Sequence, residues 1–160
     1  MKIIQLTQGK TTIVDDEDYL IYGHLKWHVS HGRAVRRNRP APDRVGAIWL
    51  HREIMGNPHG VTVDHINGNP LDNRKTNLRL CTTRENMANQ RKWTKPTSSK
   101  YKGVYYAPRN RNHWQAYIGS ARAGGRQNLG SFATETEAGL AYNKAAVELY
   151  GDFAHLNELC

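Results

Sequence analysis

Residues 61–90 read VTVDHINGNPLDNRKTNLRLCTTRENMANQ and crowd His, Asp, Asn and Arg into one short stretch. Asp64 offers an anionic oxygen suited to a hard divalent cation such as Mg²⁺, which takes few protein ligands and keeps several waters. Asn86 offers a neutral amide oxygen. One acid and one amide hold such an ion weakly, so phosphate oxygens of a substrate would have to complete its shell. His65, next to Asp64, has an imidazole that can take a proton from water near neutral pH. Asn77 carries a side-chain oxygen able to orient that ring. An ion bridging a scissile phosphate would stabilise both the developing charge and the leaving 3′ oxygen. The same residues also admit a plain structural reading. Asp72 and Asn73 suit Asx turns, Gly68 can supply a positive φ, and Arg74 or Arg79 can pair with carboxylates. The residue types alone leave the two readings open. Zinc is disfavoured in both, because His59 and His65 have no CxxC or second His pair near them and Cys81 is alone.

These side chains need elements to carry them. VTVDHI reads as a short strand and LRLCT as a second, with a polar loop between them. Thr82 and Glu85 have capping-box spacing, which predicts a helix from there to about Lys92. Upstream, residues 1–14 read as a strand pair around Gln8–Gly9–Lys10, and LKWHVSHGRAVRR as a hairpin turning at His31–Gly32. AIWLHREIMG, 47–56, has Ile48, His51 and Met55 at helical spacing before Gly56 and is expected to be a helix with His51 on its packed side. His59, beside Pro58 and Gly60, is expected in an exposed turn. TKPTSSK, 94–100, reads as a linker. Beyond it, KGVYYAP, HWQAYI and RQNLGSF are three strand candidates. Thr134 and Glu137 then cap a helix with Ala138, Ala141, Tyr142, Ala145 and Leu149 along one face. The fold class is α+β. The expected domains are 1–93, with a core at about 61–92, the linker 94–100, and 101–160.

The chain has 160 residues, a formal net charge of +9 and 38% hydrophobic residues, enough for a modest core. Charge is unevenly placed. Residues 15–18 read DDED, yet no acid lies between Glu85 and Glu135, where nine Lys or Arg stand. A second basic run, RAVRRNR, occupies 33–39. Nucleic acid is the partner class this placement favours, since no long amphipathic helix carries the basic residues to a membrane. No signal peptide or membrane span is legible. The two cysteines, Cys81 and Cys160, make no disulfide framework, so a reducing interior is expected with Cys81 as a buried apolar residue.

The string HREIMG…VTVDHINGNPLDNRKTNLRLCTTRENMANQR, over about residues 48–92, resembles the HNH endonuclease family in its phage and intron-homing branch. The resemblance implies two short strands and a helix around one catalytic ion, the ββα-metal core. It implies Asp64 as a metal ligand, His65 as general base, Asn77 as the Asn that orients the histidine, and Asn86 as the second ligand. Family members often have His at the last position; Asn86 here matches homing nickases of H-N-N pattern and favours Mg²⁺ or Mn²⁺, one ion per site. The stretch 101–157 resembles the AP2 domain through YKGV, W-x-A-x-I, LGSF, the T-x-x-E-A helix and the closing GDFAHLN. That resemblance implies a three-stranded sheet in the major groove of double-stranded DNA, backed by one helix.

Strand alternation puts Val104, Tyr106, Ala116, Ile118 and Leu129 towards that helix, with Trp114 in the core. Tyr105, Ala107, Arg109, Gln115, Tyr117, Arg126 and Asn128 project the other way. Lys102 and Arg111 join them as expected DNA contacts. Tyr105 and Ala107 stand where many AP2 members have Arg, Arg109 and Asn128 where they have Trp, and Gly119 where they have Arg. Arg126 keeps an Arg. The fold is therefore expected to carry over while the target sequence does not. Together these readings predict a metal-dependent, site-selective DNA endonuclease of homing type. It is expected to be monomeric, to nick one strand, and to work in the cytoplasm of a host cell if phage-encoded. The alternative is a DNA-binding regulator on an inactive nuclease scaffold.

Overall fold

The computed structural model describes residues 1–38, 46–92, 98–109, 113–120 and 125–159. Two compact units are present, Met1–Thr83 and Arg84–Cys160. The residues 94–97 of the expected linker, together with Arg111 and Cys160, lie outside the described residues.

In the first unit, β1 (Lys2–Gln5) and β2 (Thr11–Val14) form an antiparallel pair joined by a 3₁₀ turn over Thr7–Gly9. Asp16–Tyr22 forms α1, with Asp16, Glu17 and Asp18 in its first turn, where acids offset the helix dipole. β3 (His28–Ser30), β4 (Arg33–Asn38) and β5 (Gly46–Trp49) make a three-stranded antiparallel sheet in that order. The β3–β4 turn takes positive φ at both His31 (48°) and Gly32 (75°), the type I′ signature of a two-residue hairpin.

The segment 47–56, expected to be one helix, divides. Ala47, Ile48 and Trp49 pair with Arg37, Arg36 and Val35 on β4, and only Leu50–Ile54 forms helix α2. The open edge of β4 offered backbone hydrogen bonds to a β-branched and aromatic stretch, and that outweighed a short helical periodicity. β6 (Thr62–His65) and β7 (Leu78–Cys81) form the expected two-stranded sheet. Ile4, Leu6, Val14, Trp27, Ala34 and Leu50 make the core of this unit. Cys81 is a free, buried thiol.

Helix α3, Thr83–Asn89, starts at the last residue of the first unit and lies otherwise in the second; it is shorter than the expected run to Lys92. Three antiparallel strands follow, β8 (Val104–Tyr106), β9 (Trp114–Ser120) and β10 (Gly125–Phe132), with β9 central. Helix α4 (Glu135–Tyr150) packs behind them and opens with the reciprocal capping box of Thr134 and Glu137. Its buried side is Ala138, Gly139, Tyr142 and Ala146, whereas Leu149 is 43% exposed. Tyr106 is likewise not covered by the helix; it is exposed and packs edge-on against Trp114. Gly103 is required where it stands. Its φ is +75°, and an added Cβ would sit 2.2 Å from the Tyr142 ring. The closing GDFAHLN also has a mechanical explanation. Asn157 Oδ1 accepts from Lys102 N at 2.6 Å and its Nδ2 donates to Lys102 O at 3.1 Å, while Asn143 holds the Asn157 backbone from α4. That one amide fastens the end of the chain to the start of the sheet.

Candidate active site and nucleic-acid face

β6 ends at Asp64 and His65, and the loop after it is held almost wholly by side-chain amides. Asn67 Oδ1 accepts from Asn69 N and Asn69 Oδ1 from Leu71 N, two successive Asx turns around Gly68, whose φ is 69°. Asp72 closes the loop, accepting from Asn67 Nδ2 at 2.9 Å and from Arg74 Nε and Nη2 at 2.7 and 2.6 Å. The Arg74 hydrogen bond is the main reason the Asp72 carboxyl is held below the usual carboxylate range. Strand β2 then clamps the loop from outside. Ile13 N donates to Leu71 O and Asn73 N to Ile13 O, at 2.9 and 2.8 Å. The acidic run has a use in the same clamp, because Asp15 accepts from Lys75 N at 2.8 Å and Asp18 lies 3.4 Å from Lys75 Nζ.

His65 sits inside this frame, 6% exposed. Its Nε2 lies 3.1 Å from Asn73 Oδ1, and Asn73 Nδ2 donates to Thr12 Oγ1 at 2.7 Å. Thr12 in turn donates its only hydroxyl proton to Leu71 O at 2.7 Å. The chain has one consistent direction. Because Thr12 donates onward, it must accept from the Asn73 NH₂. The Asn73 oxygen then faces the ring, so Nε2 carries the hydrogen and Nδ1 is the basic nitrogen. Burial pushes the imidazole below its ordinary pKa, which the Asn73 bond partly opposes, and the ring is neutral at neutral pH. The His51 ring lies 5.2 Å from that of His65, centroid to centroid. Burial, with His65 as the next cause, takes His51 down to about 3. His59 is exposed in the turn before β6.

Asn77 does a different job from the one its spacing suggested. Its Oδ1 accepts from Asn67 N at 3.0 Å, its Nδ2 donates to Asp72 O at 2.8 Å, and its carbonyl accepts from Ile66 N. It staples the loop shut, while the amide bonded to the imidazole is that of Asn73. Neither Asn73 nor Thr12 was picked out by sequence reasoning as a site residue. Asn73 was visible as a polar residue in DNR but reads there as a turn former, and Thr12 is 61 positions away.

Asp64 is buried and accepts from Arg79 Nε at 3.0 Å. Asn86 is half-buried on α3, in the second unit. Among the described residues no group of three or more His, Cys, Asp or Glu could hold a metal ion. The hard carboxylate oxygen of Asp64 and the amide oxygen of Asn86 are each of the donor type that suits Mg²⁺ or Mn²⁺ better than zinc.

In the second unit the register pairs Tyr105 with Gln115, Tyr117 with Asn128, and Gly119 with Arg126. These residues share the sheet face away from α4. Tyr105 and Tyr117 stack at 5.2 Å, and both hydroxyls bond Gln115 Oε1. Arg126 is exposed, Arg109 is exposed beyond β8, and Asn128 turns its Oδ1 onto Gly130 N at the β10 bulge. Lys102 departs from the expected set. Its Nζ donates to the carbonyls of Ala88 and Gln90, both at 2.6 Å, and to Met87 O at 3.5 Å. It caps the C-terminal end of α3 and is half-buried, where it cannot face a duplex as a free cation. Burial lowers this ammonium to about 8, and three carbonyl acceptors hold its proton.

A family model described as HNH endonuclease matches residues 53–88. Over 162 residues, 96% of this chain and 79% of the relative, the sequence is 32% identical to a protein of Acanthamoeba polyphaga mimivirus named as an uncharacterised HNH endonuclease. The chain belongs to the HNH endonuclease family. It is a nuclease, and members of this family typically use a divalent metal ion. Protein 3.8 of Escherichia phage T7 is 34% identical over 97 residues, 61% of this chain and 76% of its own. In Arabidopsis thaliana, dehydration-responsive element-binding protein 2D is 48% identical over 60 residues, 38% of this chain and 28% of the plant protein. No solved structure matches the chain. The HNH match takes in Asp64, His65, Asn73, Asn77 and Asn86. No helix among the described residues is long and apolar enough to cross a membrane.

Proposed function

We propose that this HNH endonuclease hydrolyses one phosphodiester bond of double-stranded DNA at selected sites, as a monomeric homing-type nickase in the cytoplasm, that of a host cell if it is phage-encoded. The observation that carries the reading is the directed chain Leu71–Thr12–Asn73–His65, which puts the hydrogen of a buried imidazole on Nε2 and its basic lone pair on Nδ1. His65 takes the proton from the attacking water at that nitrogen. Asn73 holds the ring, and Asn77 keeps the loop from opening around it. Asp64 and Asn86 would hold Mg²⁺ or Mn²⁺, which supplies charge stabilisation at the phosphate when bound.

In this reading the second unit is an AP2-like reader. Its open sheet face, with Tyr105, Gln115, Tyr117, Arg126 and Asn128, is set against the duplex, with Arg109 and Arg111 reaching phosphates. The name of the plant relative, an element-binding protein, supports that assignment, as does the run free of acids from Asn86 to Thr134. Phosphate contacts provide salt-dependent affinity that a site with few ligands lacks.

Incubating the chain with a mixed-sequence plasmid library and Mg²⁺, against an EDTA control, tests the proposal. Accumulating open circles that need the metal and are lost in His65→Ala support it. Binding without metal-dependent cleavage would leave a DNA-binding protein on an inactive scaffold. Prompt linear product would replace nicking by double-strand cleavage.

A further inference from the structure

The second unit contains a cleft of about 460 Å³ that shares Tyr105, Tyr117 and Arg126 with the open sheet face and is completed by residues of α3 and α4 that the reader role does not use. Tyr105 and Tyr117 form one part of its wall, and Tyr142 and Tyr150 another. Arg84, Arg91 and Arg126 stand around it, with Arg84 over the Tyr150 ring at 5.6 Å. Among the described residues no carboxylate lines it. The C-terminal carbonyls of α3, which would repel an anion, are engaged by the Lys102 ammonium. The cleft is thus aromatic in its walls and cationic around them.

We infer that this cleft takes one unpaired nucleotide of a DNA strand, its base against the tyrosines and its phosphate against Arg84, Arg91 and Arg126. Size, shape and charge each support this occupant. The volume is within the roughly 300–1,000 Å³ range of small-ligand clefts. Phosphates of an intact duplex are met by cations on an open surface, and aromatic side chains lining a cleft would be of no use to them. A base taken out of its stack presents a flat π face that tyrosine can cover, and its phosphate remains for the arginines. Gly103 and Gly119 line the same cleft, Gly103 letting the Tyr142 ring come close. The choice of DNA as the source of the nucleotide rests on the DNA-cleaving reading.

The full chain in EDTA is titrated by fluorescence anisotropy with a paired duplex and with the same duplex carrying a single-nucleotide bulge. The bulged probe should bind about tenfold more tightly, the weight of one base stacked on aromatic rings. With 5-iodouracil at the bulge, irradiation should give an adduct on Tyr105, Tyr117, Tyr142 or Tyr150. Arg84→Ala should reduce the preference to within about twofold while paired-duplex binding stays. Equal affinity for the two probes, or an adduct mapped outside the cleft, overturns the inference and leaves the DNA-cleaving reading intact. If neither probe binds, that reading fails, and 5′-dAMP decides the cleft alone. Saturable quenching of tyrosine emission, weakened in Arg84→Ala, supports a nucleotide site, whereas no quenching overturns it.

Discussion

Around the β6–β7 loop of the first unit many of the buried side chains are polar: Thr12, His51, Asp64, His65, Asp72, Asn73 and Asn77. Behind the sheet of the second unit they are Val104, Ala116, Ile118, Ala138, Tyr142 and Ala146, while Arg109, Arg126 and the paired Tyr105 and Tyr117 lie away from that core. A buried polar group is held by directional bonds that fail when one partner is removed, and an apolar core tolerates changes on its outer face. The first arrangement suits chemistry at a fixed nitrogen. The second suits a surface whose contacts can be exchanged without losing the fold.

Five experiments test this contrast. The largest effect is expected from His65→Ala, which should slow single-turnover cleavage by about 10²–10⁴-fold with DNA affinity nearly unchanged. A rate equal to wild type at saturating DNA and metal would remove His65 from the chemistry. Asn73→Ala comes next. Losing the oxygen that fixes the tautomer should cost about 10–10²-fold in kcat, by analogy with the groups that hold metal-ligating histidines in place. It also leaves Thr12 and His65 short of a buried partner, at about 1–3 kcal/mol of unfolding free energy. If Asn73→Asp, which keeps an acceptor towards Nε2, recovers no more rate than alanine, the positioning role is wrong and only the stability role stands.

Lys102→Met tests the second unit. Removing the ammonium from the three α3 carbonyls should destabilise the chain by about 1–3 kcal/mol in urea unfolding. An unchanged midpoint would mean that α3 is held by other contacts. His51 gives a pH signature of the polar interior. The folded chain keeps it neutral to about pH 3, while an unfolded chain protonates it near 6.5. Below about 6.5 the unfolded state therefore binds more protons, and stability falls as pH drops from there towards 3. Relative to His51→Leu, wild type should lose on the order of 1–2 kcal/mol between pH 7 and 5. Parallel curves for the two would contradict a buried neutral ring. The smallest effect is expected from exposed Arg126. Its change to Ala should lower the slope of log affinity against log salt by about 1, without moving the unfolding midpoint. A shifted midpoint would make it a structural residue.

Much of this was legible from local sequence. The strands VTVDHI and LRLCT, the three strands after residue 100 and the Thr134–Glu137 capping box all appear where period and cap chemistry put them, because neighbouring residues suffice to define such elements. The HNH family was legible for the same reason, its motif being contiguous. Tertiary structure alone decided the rest. It turned Ala47–Trp49 into a strand, since the edge of β4 was there to be paired. It drew α1 from the DDED run, whose acids meet Lys75 across the fold. Lys102 was moved from an expected DNA contact to a helix cap. The hydrogen bond on His65 went to Asn73 rather than Asn77, because Thr12 arrives from β2 to fix that amide, and no spacing within residues 61–90 can register a hydroxyl from the far end of the chain.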